Sequence, residues 1–380
     1  MRDVVRRRFL GALAGTGVVA AIGGGAALVV DAHEVADYRA SADATWRHSE
    51  DFELQPPAAA RELVRYATLA ANSHNTQPWR FRLAERSIAI SPDLGRRLAS
   101  VDPDDHHLFV SLGCATENLI QAAAAFGFRA TPVFDRQTGA TRIDIDTAPR
   151  ERSALFDAIP QRQSTRTVYD GRAAPADHLR LLEAAGAGPG VQMLLFTQRQ
   201  QIEDILGYLI AGNSAQMDDP SFIAELKAWL RFNEAEALRK DDGLFTKCSG
   251  NPALPSWLGR LIFNLIVTKD GENALTAKQL RSSSGVAVFI SDQNDPASWS
   301  EAGRCCQRFA LRATSLNIQH CFINQPVEVP SVRGQFAQYL GAGSRRPDLV
   351  MRFGYGPSLP RSLRRPIAQT IEAEESVVSF

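Results

Sequence analysis

ATENLIQAAAAFGF (residues 115–128) and RFALRATSLNI (residues 308–318) stand at matching places in two halves of one 380-residue chain. Both close a long helix and run toward a strand. In the second, Ala302, Cys306, Phe309, Ala310 and Ala313 fall on one side at helical spacing, the pattern of a packed helix. Ahead of the first stretch come a helix, PAAARELVRYATLAA (57–71), a polar break, SHNTQP (73–78), and two strands. These are WRFRL (79–83) and SIAIS (87–91), which alternate around the turn AERS. After it, FRATPVFD (128–135) pairs with TRIDI (141–145) through RQTGA.

Past residue 150 the order starts again. A helix, ADHLRLLEAAGA (176–187), is broken by GPG and followed by the strand VQMLLFT (191–197). A polar and helical excursion fills about 200–283, then GVAVFISD (285–292) reads as a strand. The long helix follows, and PDLVMRFGYG (347–356) is a late strand before a Pro- and Arg-rich tail. Each half therefore reads helix, break, strand, long helix, strand: a weak internal duplication, visible as pattern rather than identity. Helices and strands mix without regular βαβ alternation, and no GxGxxG opens a helix after a strand. The class is α+β rather than a Rossmann domain.

Composition narrows the function classes. Apolar residues make up 44% of the chain, enough for a sizeable core. Forty-two basic and 42 acidic side chains balance, so nothing pulls the chain toward nucleic acid. The five cysteines lack regular spacing, which argues against a disulfide framework. Cys305 and Cys306 read as small core residues, and no zinc-type Cys/His spacing is present, so no metal is expected. His74, His106 and His107 read as surface residues and Asn118 as a paired helix residue.

The N-terminus opens MRDVVRRRFLGALAG, and Arg6, Arg7, Phe9 and Leu10 form the pattern of a twin-arginine export signal. An uncharged Gly- and Ala-rich run follows to Val30, with a poor cleavage site at Val30-Asp31-Ala32. The segment is expected to be a signal or a membrane anchor, since about 20 apolar residues span a bilayer. The chain then divides into a leader (1–35), a first half (50–150) and a second half (151–380). The expected location is periplasmic or membrane-tethered.

Four motifs in order resemble the nitroreductase family, flavoproteins that hold FMN at a dimer interface. ANSHNTQPWRF (71–81) resembles the family's Pro-Ser-x-x-Asn-x-Gln-Pro-Trp loop, and RQSTR (162–166) its Arg-x-Ser-x-Arg phosphate segment. LRRP (363–366), after MRFGYG, resembles its C-terminal basic cluster, and WSEAGRCCQRFALRATSLNIQHCFINQP (299–326) its long central helix and following loop. The closest pattern is the double-length, Acg-like subgroup, in which one chain carries two nitroreductase-like halves. The resemblance implies mixed sheets flanked by helices, an intrachain pseudo-dimer, and FMN as cofactor.

On that reading Arg162, Arg166, Arg364 and Arg365 clamp the phosphate, because guanidinium matches phosphate oxygens bidentately. Gln163 and Ser164 bond the phosphate or ribityl region, and Asn72, Ser73 and Asn75 face the ring edge. Gln77 shapes the loop, while Pro78 and Trp79 fix it and pack beneath. No side chain is assigned as nucleophile or general acid, because the cofactor carries the chemistry. A reciprocal second site would need WRHSED (46–51) as its phosphate segment and a polar loop at AGAGPG (185–190). The first ends in Asp and the second offers no polar side chain, so one flavin per chain is expected. The implied activity is electron transfer to a nitroaromatic, quinone or similar flat acceptor, from NAD(P)H, a quinol or a redox protein. A non-turnover flavin store is the alternative, with the excursion as a lid over the ring. A tethered dehalogenase or oxidase of the same fold is a weaker third reading.

Overall fold

The computed structural model describes residues 32–54 and 56–372. The candidate export signal lies outside the described residues apart from its last few positions. After a first helix, Ala32–Thr45, and a second, Pro56–Thr68, the chain forms β1 (Trp79–Ala84) and β2 (Ser87–Pro92). The long helix His106–Phe126 leads to β3 (Phe128–Phe134) and β4 (Thr141–Thr147). In the second half the helix Ala176–Gly186 leads to β5 (Val191–Phe196). The excursion carries five helices, Arg199–Asp218, Pro220–Trp229, Glu234–Lys240, Ser256–Ile266 and Lys269–Arg281. It also carries the two-residue strands β6 (Leu230–Arg231) and β7 (Leu244–Phe245). Then come β8 (Gly285–Ser291), the long helix Pro296–Ser315, β9 (Gln319–Phe322) and β10 (Pro347–Gly354).

The sheets share one topology. The first is ordered β1-β2-β4-β3 and the second β5-β8-β10-β9, so the strands correspond pair by pair. Both four-stranded ladders are antiparallel. Each becomes mixed through a single parallel bridge, the first lent by the tail of the second half and the second supplied from within its own half. Ile371 pairs beside Phe81 on β1, and Ser164 pairs beside His320 on β9. β1 alternates inward and outward as its WRFRLA pattern predicts, whereas β8 and β10 are buried on both faces.

The two long helices pack against each other at the centre, between the sheets. Their approach depends on two glycines. A Cβ on Gly113 would lie 1.9 Å from Ser300 O, and one on Gly303 would lie 2.1 Å from Val110 O. Beside this contact Asn118 donates to Tyr66 O and accepts from Gln307 Nε2 at 2.7 Å, so it is a paired helix residue as its position suggested. Cys305 and Cys306 are free thiols buried in the same core. Among the described residues His106–Phe126 is the one helix long and apolar enough to cross a membrane. Its apolarity follows from its central burial.

Candidate functional site

The break SHNTQP folds as a single tight turn, Ser73–Asn75, followed by a climb into β1. His74, Asn75 and Gln77 all adopt positive φ (47°, 54° and 53°), conformations that cost a side-chain-bearing residue about 1–3 kcal/mol each. The polar side chains hold the loop in that shape. Asn72 Oδ1 accepts from Gln77 N at 2.9 Å, and Asn72 Nδ2 donates to Ala70 O. Asn75 Nδ2 donates to Gly243 O and Leu363 O. Gln77 Nε2 donates to Asp241 O while its Oε1 accepts from Arg365 N. Ser73 N donates to Ser111 Oγ. Trp79 is fully buried beneath the loop.

RQSTR is extended and adds to the edge of β9. Thr165 N donates to His320 O at 2.8 Å, and Thr165 Oγ1 donates to Gln319 Oε1. Extended backbone sends alternate side chains to one face, so the spacing Arg-x-Ser-x-Arg places Arg162, Ser164 and Arg166 on the same side. From below, the fully buried Arg352 of β10 donates to Thr165 O and Thr167 O and stacks on Tyr169, 4.0 Å from its ring centre.

The two segments meet across a cavity of about 260 Å³ between the halves. Asn72, Ser73, Asn75, Arg162, Gln163, Ser164, Arg166 and Arg364 all line it. Arg365 does not, which corrects the sequence expectation. Its guanidinium donates to Gln77 O and Trp79 O and faces Asp93, so it anchors the loop from behind. Gln163 reaches the cavity but donates to Leu359 O. His106 and His107 also depart from expectation. Both are buried, because the helix they begin runs through the core.

The cavity is cationic. Glu328 is the one carboxylate on its wall, against Arg162, Arg166 and Arg364. Burial pushes the Arg364 guanidinium down to about 9, with Arg162 as a repelling neighbour. Burial likewise pushes Arg162 down to about 10. Among the described residues the Arg162 side chain makes one hydrogen bond, to Leu69 O, and its buried Nε has no partner. Arg166 makes no side-chain hydrogen bond or ion pair among the described residues. Arg364 is more fully used, donating to Thr68 O, Asn75 Oδ1, Ser362 Oγ, Leu363 O and Ala70 O. Burial, with the charge of Arg166, holds His74 down at about 4, so it adds no charge at neutral pH.

Sequence reading missed several wall residues. Trp46 lines the cavity with Arg364 4.7 Å above its ring, and its Nε1 donates to Ser362 O. Phe222, Phe245 and Phe322 add apolar surface. Phe222, Gly243, Phe245 and Cys248 come from the excursion, which covers one side of the cavity. It is clipped to the polar loop, since Gly243 N donates to Asn75 O at 3.1 Å and Arg96 pairs with Asp242. No local signal in the sequence marks Trp46 or the phenylalanines, whose partners lie far along the chain.

Fold and site together define a class: a two-sheet α+β protein whose halves enclose one arginine-rich, aromatic-walled cavity suited to a flat anion. No family model matches the chain. Two curated proteins from Mycobacterium tuberculosis strains, each called a "Putative NAD(P)H nitroreductase", are 25% identical over 334 residues, covering 84% of this chain and 92% of theirs. Among solved structures, a Bacteroides fragilis nitroreductase with bound FMN is 19% identical, covering 59% of this chain and all of that one, at a TM-score of 0.37. The FMN-dependent nitroreductase NfnB from Mycobacterium smegmatis, in complex with NADPH, is 14% identical over 58% of this chain and 98% of its own, at a TM-score of 0.39. The chain is thus similar along most of its length to proteins so named.

Proposed function

We propose that the chain is an FMN-binding oxidoreductase of the nitroreductase type. The observation that carries this reading is the convergence of Arg162, Arg166 and Arg364 on one cavity beside a single carboxylate. Buried guanidiniums without counter-ions are costly, and a phosphate dianion offsets that cost through charge-assisted hydrogen bonds. The partnerless Nε of Arg162 and the free guanidinium of Arg166 fit such a group. Similarity over 84% of the chain to proteins named as nitroreductases supports the same reading.

In this assignment Arg162 and Arg166 hold the phosphate and Ser164 bonds the phosphate or ribityl chain. The loop at Asn72, Ser73 and Asn75 sets the ring edge. Trp46, Phe222, Phe245 and Phe322 exclude water from the flat faces. When bound, FMN supplies two-electron transfer from a reduced donor to a flat acceptor such as a nitroaromatic or quinone. The donor is a nicotinamide, by kinship with the NAD(P)H-named relatives. If the RRRFL segment exports the chain, a quinol or redox protein takes that place, and the protein works in the periplasm or tethered to the membrane.

The two halves act as an intrachain pseudo-dimer with one working site. A second reading, a flavin store without turnover, is favoured by the clipping of the excursion to the polar loop through Gly243 and Asn75. Anaerobic mixing separates the two. Bleaching of the flavin band by NADPH or a quinol, followed by recovery with a nitroaromatic, is the expected result. Retained flavin with no bleaching by any donor favours the store. A purified protein that binds no FMN overturns both.

A further inference from the structure

The entrance to the first long helix gathers groups that the flavin reading does not use. Asp102 caps that helix, its two oxygens accepting from His107 N and Leu108 N at 3.0 and 2.9 Å. Each oxygen keeps a lone pair. His106 and His107 follow side by side, their rings 4.7 Å apart. Both point Nε2 at one residue of the other half: His106 Nε2 donates to Asp348 Oδ1 at 2.8 Å, and His107 Nε2 to Asp348 O at 3.2 Å. Asp348 is itself fixed by Ser291 N and Ser291 Oγ.

This arrangement sets the tautomers. With Nε2 as the donor, Nδ1 of each ring carries the bare lone pair, and both Nδ1 atoms are buried with no hydrogen-bond partner. A histidine that donates one nitrogen to a carboxylate or carbonyl while presenting the other is the usual posture of a metal ligand. One ligand atom from each of Asp102, His106 and His107 lies within 4.8 Å of the others. From the second half, Glu328 Oε1 comes to 3.6 Å from His107 Nδ1. Its other oxygen is held by Gln216 Nε2 at 2.6 Å. Around a four-coordinate zinc, neighbouring ligand atoms stand about 3.4 Å apart. The Glu328–His107 pair already has this spacing; the Asp102, His106 and His107 atoms would close by up to about 1.4 Å, and Glu328, which now approaches only His107, would swing in to complete the shell.

We propose that Asp102, His106 Nδ1, His107 Nδ1 and Glu328 bind one zinc ion. The sequence pattern gave no sign of it, because two ligands are adjacent in sequence and the fourth is over 200 residues away. Two carboxylates and two neutral imidazoles carry two negative charges, matched to a divalent ion, and four protein ligands close the shell, so the site is structural. Two cations also border the small cavity here. Arg346 pairs with Asp104 and Arg333 donates to Val327 O, so neither occupies the ligand atoms. Asp102, His106 and His107 belong to the first half and Glu328 and Asp348 to the second. The ion therefore staples the halves beside the large cavity, whose wall includes His107 and Glu328.

The test uses the full chain, stripped with a chelator, dialysed, and titrated with zinc against a competing chromophoric chelator. Metal content is read by mass spectrometry. One zinc per chain and a rise in melting temperature on its addition are expected. Glu328→Gln, which keeps the Gln216 contact, is expected to weaken binding at least a hundredfold. Asp348→Asn, a positioning change, weakens it about 10–100-fold. Circular dichroism in chelator controls for folding. Zinc at background level, no competition with the chelator, or unchanged affinity in Glu328→Gln overturns the proposal. None of these readouts depends on flavin, so failure here leaves the flavin reading standing, and the reverse also holds.

Discussion

The loop Ala71–Pro78 and the loop Ala187–Gly190 occupy matching positions, each joining a helix to the first strand of its sheet, yet they do opposite things. The first turns polar side chains and three strained residues toward a cavity. The second is glycine and proline, and ions fill its surroundings. Arg308 donates to Ala185 O and Ala187 O, and pairs with Glu117 at 2.8 Å. Arg304 joins Glu117 and Glu301. A Cβ on Gly188 would lie 2.4 Å from Cys305 Sγ. Gln307 and Glu117 make the contrast sharp. The neutral Gln307 reaches Ala71 N and Asn118 in the first setting, and the charged Glu117 holds two arginines in the second. The two matching settings thus differ, with a cleft on one side and salt bridges on the other.

The largest effect is expected where the halves touch, since both settings rely on the same helix pair. Gly113→Ala or Gly303→Ala drives a methyl into backbone that cannot yield, costing about 3 kcal/mol or more. Urea denaturation reads this directly, and a loss under about 1 kcal/mol would mean that the helices can part.

Next comes the cleft itself. Arg166→Ala removes a charge-assisted contact worth about 1.5–3 kcal/mol, so FMN affinity should drop about 10–150-fold. Riboflavin, which lacks the phosphate, should bind equally to both forms. An equal loss for both ligands would place Arg166 away from the phosphate.

Much of this contrast was legible beforehand. Helix and strand periodicity located both long helices and seven strands, and the resemblance of RQSTR to a phosphate segment pointed to Arg162, Ser164 and Arg166, which line the cavity. Arg365 misled because adjacent arginines look alike in sequence. Only the packed tail decides that Arg364 enters the cavity while Arg365 turns back to Gln77 O and Trp79 O. Burial of His106 and His107, and of Arg352, was equally hidden, since each depends on carbonyls or carboxylates far along the chain. The four-residue β9 is too short to show a period.

On the sealed side, Glu117→Gln weakens a buried carboxylate shared by two largely buried arginines. A stability loss of about 1–3 kcal/mol is expected, with FMN affinity unchanged. Altered FMN affinity would mean that the two sides communicate.

The smallest effect at neutral pH concerns His320, which sits beside Arg162 with neither ring nitrogen partnered. Burial, then the charge of Arg162, holds it at about 3 against an ordinary 6.5. Below 6.5 the unfolded chain takes up a proton that the folded chain refuses, so stability falls as pH drops from 6.5 toward 3. His320→Phe should flatten that slope by up to one proton, read from urea midpoints across this range. An unchanged slope would mean that His320 is protonated in the folded state.

The contrast between an open and a sealed side comes down to a count. Flavin released from purified, FMN-saturated protein and measured against chain concentration should approach one per chain. A value near two would contradict the account, because it would require a second working site where Glu117, Arg304 and Arg308 now stand.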